Sequence, residues 1–214
     1  MLPVAPPPDT PPADALAAPA RAGRRERNRH RVRTAILDAA LELFAERGFE
    51  QTTVRDIAAR AGVSTATVSR YFPVKEAMLF GEAEVRTAAL YDAVRSRPAG
   101  EPPTAAVVAG LVHQPELDAD GRARMLASRR AIARSTVARG RAGVYLDAWR
   151  GAIARALRDR GTDTAEAEVV AAAAVAVLDA VADRWARAGG RGDLRVAMTA
   201  GFSAIGWTIP EETA

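Results

Sequence analysis

The residues with the clearest capacity for chemistry are short, mostly polar and close together. They are Thr65, Ala66, Thr67, Ser69 and Arg70, in the stretch STATVSRYF. If this stretch is helical, Val68 and Phe72 share the inward face and the polar set lies opposite it or on its flanks. Short side chains let a helix sink into a DNA major groove about 12 Å wide. Arg70 can pair with guanine or phosphate. The hydroxyls can bond base edges or phosphates, and the Ala66 or threonine methyls can touch thymine methyls. Ser64 is a good N-cap, and the free N–H groups behind it favour phosphate. The competing reading is an ordinary helical hairpin inside an all-α core.

The elements that must position this face are legible upstream. Thr53 and Asp56 match a capping box, which starts a helix at Val54 and carries it through Ile57 and Ala58 to about Ala61. Gly62 supplies the tight turn because it adopts positive φ without steric cost. Val63 is expected to plug that turn. Before them, Ile36, Leu37, Ala40, Leu41, Leu43 and Phe44 give an apolar helical face that ends at Gly48. Two short helices joined by a glycine turn, the second polar outside, have the layout of a helix-turn-helix.

Charge supports that layout. Residues 21–75 hold twelve basic and six acidic side chains, a net of +6, while the rest of the chain nets −2. A basic segment on a near-neutral body suggests a polyanionic partner. Part of the excess lies in RAGRRERNRHRVR, which is expected to begin as a flexible arm able to reach a minor groove or phosphates, or simply to aid solubility. Lys75 is the only lysine, so arginine abundance also reflects a coding bias and is weak evidence by itself. The first twenty residues contain seven prolines and read as a disordered tail.

Catalysis finds little support. There are no cysteines, which removes disulfides, thiolate metal sites and cysteine nucleophiles and fits a reducing cytoplasm. The two histidines, His30 and His113, stand beside no acidic cluster with metal spacing. GFSAIG holds Ser203 on an expected helix rather than in a strand-to-helix elbow, and no phosphate-cradling glycine loop is present. The sequence therefore predicts no enzyme, no metal and no cofactor. The longest apolar run, Val169 to Leu178, is too short to span a bilayer, so no membrane association is expected.

At this point ILDAALELFAERGFEQTTVRDIAARAGVSTATVSRYFPVKEAML resembles the N-terminal domain of the tetracycline-repressor (TetR) family. The likeness covers about Arg33 to Leu79 and rests on AALELFAERGF, TTVRDIAARAGVS, the Tyr71–Phe72 pair and KEAML. AGVSTATVSR also resembles the reading helix of the lactose-repressor family. That family begins with its motif and continues into a much larger α/β domain, whereas here a full helix precedes the motif and about 140 helical-looking residues follow it. The TetR resemblance implies base-reading or adjacent positions at Thr65, Ala66, Thr67, Ser69 and Arg70. It implies phosphate-holding positions at Thr53, Ser64, Tyr71 and Lys75. One departure is Val74, where the family usually has a small capping residue before the lysine.

The remainder reads as helices over 75–95, 104–113, 120–134, 141–160, 164–188 and 193–207, with no strand alternation and no repeat. Val170, Ala174, Val177, Leu178, Val181 and Trp185 form one stripe, and Phe202, Ile205 and Ile209 a second. The resemblance implies that these pair with the same helices of a second subunit, and two-fold symmetry then requires a palindromic operator. The resemblance also implies an effector pocket among the central helices, with His113, Met125, Leu126, Arg129, Arg130, Tyr145 and Trp149 as candidates. The C-terminal pattern faintly resembles regulators that sense lipophilic, acyl-CoA-like compounds.

The expectation is thus an all-α protein with a tail at 1–24, an N-terminal three-helix helix-turn-helix DNA-binding domain at 25–75, and a C-terminal helical ligand-binding and dimerisation domain at 76–214. Its function is expected to be that of a cytoplasmic, homodimeric, ligand-responsive regulator of transcription, a repressor that binds double-stranded DNA. The alternative is a helical carrier of lipids or small molecules that does not bind DNA.

Overall fold

The structure, a computed structural model, describes the backbone of residues 13–81, 83–113 and 117–208. Among these residues every regular element is helical. α1 (Ala13–Arg47), α2 (Val54–Ala61) and α3 (Thr65–Tyr71) are followed by a 3₁₀ turn at Lys75–Leu79. Then come α4 (Ala83–Arg95), α5 (Pro103–Val112), α6 (Ala119–Arg134), α7 (Thr136–Asp159), α8 (Thr164–Arg187) and α9 (Leu194–Ala204).

Two apolar cores result. In the first, Ile36, Leu43 and Phe44 of α1 enclose Ile57 of α2, Val68 of α3 and Phe72, all at most 2% exposed. Met78 and Leu79 complete it, so the core runs past the expected boundary at residue 75. Ala131 of α6 and Ala138 of α7 also lie in this core. In the second, Val94 of α4, Val107 and Leu111 of α5, Ile153 and Leu157 of α7, Ala171 of α8 and Phe202 of α9 pack together. Gly201 lets α8 and α9 approach closely, since a Cβ there would fall 2.6 Å from Val181 Cγ2.

Several expectations are corrected. α1 begins at Ala13, inside the stretch read as a disordered tail. From Ala13 onward the chain is alanine-rich and favours helix, and it accommodates Pro19 at the loss of one backbone hydrogen bond. Residues 1–12 lie outside the described residues, as does Pro115. The helix expected over 75–95 is instead a 3₁₀ turn followed by a separate α4. Val74 precedes the turn and provides no side-chain cap, which is the consequence of the departure noted there. α7 starts at Thr136, five residues early, because Ser135 caps it by accepting from Ala138 N. α9 stops at Ala204, and Ile205–Gly206 form a turn.

Candidate nucleic-acid interface

Local chemistry fixes α3. Thr53 Oγ1 accepts from Asp56 N at 3.1 Å, and Asp56 accepts from Thr53 N at 2.9 Å and from its hydroxyl at 2.6 Å. These bonds hold the Asp56 carboxyl below its ordinary range, the Thr53 hydroxyl bond contributing most. Gly62 closes α2 in the left-handed region, φ +66°, with Val63 N bonded back to Ala58 O at 3.0 Å. Ser64 then caps α3 through Thr67 N at 3.1 Å.

The expected base-reading residues divide. Thr65, Ala66, Ser69 and Arg70 are exposed on one side of α3, while Val68 is fully buried beneath. Thr67 is half-buried, and its hydroxyl shares a hydrogen bond with Ser64 Oγ at 2.9 Å. The Arg70 guanidinium lies 5.4 Å from the centre of the Tyr71 ring, which gives the long side chain a resting place beside the exposed face.

The phosphate set is altered more. Lys75 Nζ donates to Phe49 O at 2.7 Å and to Thr52 O at 2.9 Å, and sits 4.2 Å from the centre of the Phe49 ring. Its desolvation pushes the ammonium pKa down. Two of its three N–H donors are therefore committed to the loop before α2, so Lys75 is first a structural tie. Thr53 is likewise engaged in its capping box. Ser64 is exposed and Tyr71 half-buried at the two ends of α3.

Two residues not singled out in the sequence hold the interface in place. Arg33 of α1 donates to Tyr71 O at 3.2 Å and to Gly81 O at 2.8 Å, with its guanidinium 4.6 Å from the Phe72 ring centre. It joins the end of α3 and the start of α4 to α1. Thr52 is buried and donates to Gly48 O at 2.8 Å, with Leu43 O at 3.2 Å. No spacing rule signals either role, because both act on main-chain carbonyls that only folding brings near.

A sequence model of bacterial regulatory proteins, tetR family, matches residues 36–81, the segment just described. Residues 36–81 thus match the DNA-binding segment of the TetR family. It is 34% identical over 119 residues to the HTH-type transcriptional regulator TcmR of Streptomyces glaucescens, covering 53% of each protein. It is 51% identical over 47 residues to the transcriptional repressor KstR2 of Rhodococcus jostii, covering 22% of this chain and 23% of that one. The matches thus span about half or less of these curated relatives. Among solved structures, the Thermus thermophilus TetR-family repressor FadR, in complex with lauroyl-CoA, superposes with a TM-score of 0.51 at 28% identity, over 85% of this chain and 98% of that one. A TetR regulator from Rhodococcus sp. RHA1 superposes at 0.52 and 23% identity, a likeness of fold.

Beyond the segment that the family model matches, the chain has two adjoining cavities. A body chamber of about 310 Å³ is lined by Leu90, Leu111, Met198 and others. A junction chamber of about 460 Å³ lies between the first core and the body. Of the expected pocket residues, Met125, Arg129 and Trp149 line both chambers and Tyr145 lines the second. His113 and Arg130 are exposed, and neither they nor Leu126 line either chamber. Arg129 bonds Asp179 and Asp183 of α8.

The expected dimer stripe is also corrected. Val170, Ala174, Trp185 and Phe202 are buried within the single chain, and Trp185 and Leu178 line the body chamber. Val177 and Val181 face Gly201 of α9. Ile209 lies outside the described residues. What α8 presents outward is a stripe of small residues, Ala165, Val169, Ala172, Ala176 and Ala180, with Val169 69% exposed. Beside it on α9 are Val196, 65% exposed, and Ala200 and Ala204, with Ile205 just beyond. Among the described residues no helix is long and apolar enough to cross a membrane.

Proposed function

We propose that this chain is a ligand-responsive transcriptional repressor of the cytoplasm that binds a palindromic operator as a homodimer. The observation that carries the proposal is the exposed Thr65–Ala66–Ser69–Arg70 face on a helix capped at its start and tied at its end by Arg33. Thr67 contributes through its methyl or by bracing Ser64, and Ser64 and Tyr71 flank the groove as phosphate contacts. The outward alanine and valine stripes of α8 and α9 make the dimer, since small side chains allow close helix approach. The two reading helices then sit about 34–36 Å apart, one turn of DNA.

The effector is a small lipophilic molecule of acyl-CoA-like chemistry, which the likeness to the lauroyl-CoA-bound repressor supports. Release travels by α6. α6 lines both chambers with Met125 and Arg129, and it also holds the first core through Arg124–Asp38 and a Ser128 bond to Leu79 O. Ser135 at its end bonds Glu50. A ligand that favours one position of α6 shifts the population of DNA-competent dimers by its differential affinity.

The test is fluorescence anisotropy with the DNA flanking the chain's own gene and a scrambled duplex, across a salt series. A steep salt slope with preference for the flanking DNA is expected. Arg70→Ala should remove about 1–3 kcal/mol of the preference and leave most non-specific binding. Equal losses on both duplexes would take Arg70 out of the reading role. No binding to either duplex at low salt would replace the regulator with a carrier.

A further inference from the structure

The basic stretch before Thr34, read from sequence as the start of a flexible arm, is instead part of one helix running from Ala13 to Arg47. A helix gives its arginines fixed bearings, because it turns about 100° per residue. On α1 the residues Leu43, Ile36, Val32, Arg29 and Arg25 therefore all fall within an arc of about 60°. Leu43 and Ile36 are buried in the first core, and Val32 packs against it. Arg29 and Arg25 are exposed. The face of α1 that covers α2 and α3 thus turns from apolar to cationic within one helical turn.

Arg33 marks where the change falls. It stands beside the stripe and donates to the carbonyl of Tyr71, the last residue of α3, at 3.2 Å. With a rise of 1.5 Å per residue, Arg29 and Arg25 stand about 6 and 12 Å further out along the axis. The helix therefore overhangs the end of α3 that carries Arg70 and Tyr71, with two guanidinium groups on the underside of the overhang. A helix with its side chains is about 10–12 Å across, too wide for a minor groove of about 6 Å. The overhang cannot thread that groove as an extended arm would. It can lie along the rim, where planar guanidinium forks match phosphate oxygens.

We infer that Arg25 and Arg29 hold backbone phosphates of the DNA just beyond the stretch read by α3. This rests on the DNA-binding reading above and extends its footprint along the duplex. The contact is continuous with the exposed face of α3, and its charge is complementary to the backbone. Because phosphates carry no sequence information, it adds affinity on any duplex and leaves base preference to α3. Arg27 and Arg31 lie on the opposite side of the same helix, about 140–180° from Ile36. They are exposed as well, and Arg31 donates to Asn28 Oδ1 at 2.9 Å. They provide a comparison of equal charge within the same segment.

The experiment compares the full chain with two double variants, Arg25→Gln/Arg29→Gln and Arg27→Gln/Arg31→Gln. Each is titrated onto the gene-flanking duplex and the scrambled duplex from 50 to 200 mM salt. All four side chains are exposed, so melting temperature and helical circular dichroism should match the wild type. The Arg25/Arg29 variant should lower the slope of log K against log salt by about 1.8 per subunit bound, two phosphates at about 0.9 each. Its deficit against the wild type should therefore shrink about twelvefold per subunit across that salt range. The loss should be the same on both duplexes, unlike that of Arg70→Ala, which acts on the preference. The Arg27/Arg31 variant should lose less than half as much. An unchanged slope for the Arg25/Arg29 variant would overturn the inference. So would equal losses for the two variants, which would show a general positive field rather than one face. A loss confined to the flanking duplex would replace phosphate contact with base reading. A wild type that binds DNA while the Arg25/Arg29 variant keeps its slope sinks this inference alone, and a wild type that binds neither duplex sinks the regulator reading with it.

Discussion

Replacing Arg33 by methionine keeps an apolar stem of similar length and removes everything the guanidinium does. Three contacts vanish: the bonds to Tyr71 O and Gly81 O, and the approach to the Phe72 ring. A hydrogen bond from a charged donor contributes about 1.5–3 kcal/mol, and a partly desolvated cation–π contact about 0.5–2 kcal/mol. These do not add fully, because one rigid group makes all three and water reaches part of it. A loss of about 3 kcal/mol is expected, or roughly 6–12 °C in melting temperature for a chain of this size. Arg33→Lys should recover less than half, since an ammonium cannot fork to two carbonyls. The decisive readout is the salt dependence of DNA binding. A strut that never meets phosphate leaves the slope of log K against log salt unchanged, whereas loss of one phosphate contact lowers it by about 0.9. Normal stability with a reduced slope would show that Arg33 belongs to the DNA-contacting arm and that its bonds to α3 are incidental.

Gly201→Val places carbon 2.6 Å from Val181 Cγ2 and 3.1 Å from Val177 Cγ1, and should destabilise by about 1–3 kcal/mol. An unchanged melting temperature would mean that α8 and α9 pack more loosely than described. Paired Val169→Glu and Ala176→Glu substitutions should give monomers by sedimentation velocity with the helical circular dichroism intact. Trp185→Glu should instead unfold the chain, because that indole is buried inside the subunit; a folded monomer from Trp185→Glu would restore the original stripe as the interface. Asp56 and Glu50 both have pKa values lowered on folding, chiefly by hydrogen bonds from Thr53 and Ser135. The native state therefore binds fewer protons in acid than the unfolded chain. Their stabilisation is complete above the ordinary carboxylate values of 3.8 and 4.5 and is lost as pH falls through the lowered ones. Asp56→Asn should narrow the gap between urea midpoints at pH 7 and pH 3, and an unchanged gap would remove the capping box from the acid response.

What the sequence made legible was what local rules decide. Thr53, Gly62 and Ser64 act within four residues of themselves, so cap, turn and cap were readable, and the exposed face of α3 followed from Val68 and Phe72. Where a side chain acts at long range the sequence was silent. Arg33 and Lys75 look like ordinary cations until folding delivers carbonyls from residues 38, 48, 26 and 23 positions away. The α8 stripe failed for a different reason. Alanine lies on every side of that helix, so apolar periodicity could not separate the inner face from the outer. The larger residues were taken as the interface, yet bulk fills interiors, and the core and cavity claimed Val170, Leu178 and Trp185. His113 and Arg130 had no pattern to place them, and the structure leaves both in solvent.

The seating of Ala131 and Ala138 in the first core bears on how this protein can be taken apart. By sequence, residues 36–81 look like a cassette that could be moved to another body or expressed alone. By packing they are not a finished unit, because the end of α6 and the start of α7 cover part of their apolar floor. An isolated 25–81 fragment would expose that floor to water and invite association through it. A chimera that grafts this head onto a related body should therefore carry residues 128–138 with it, or recruit side chains of matching size from the new host. Compatibility between head and body, more than the reading helix itself, then limits which domain exchanges yield a working protein.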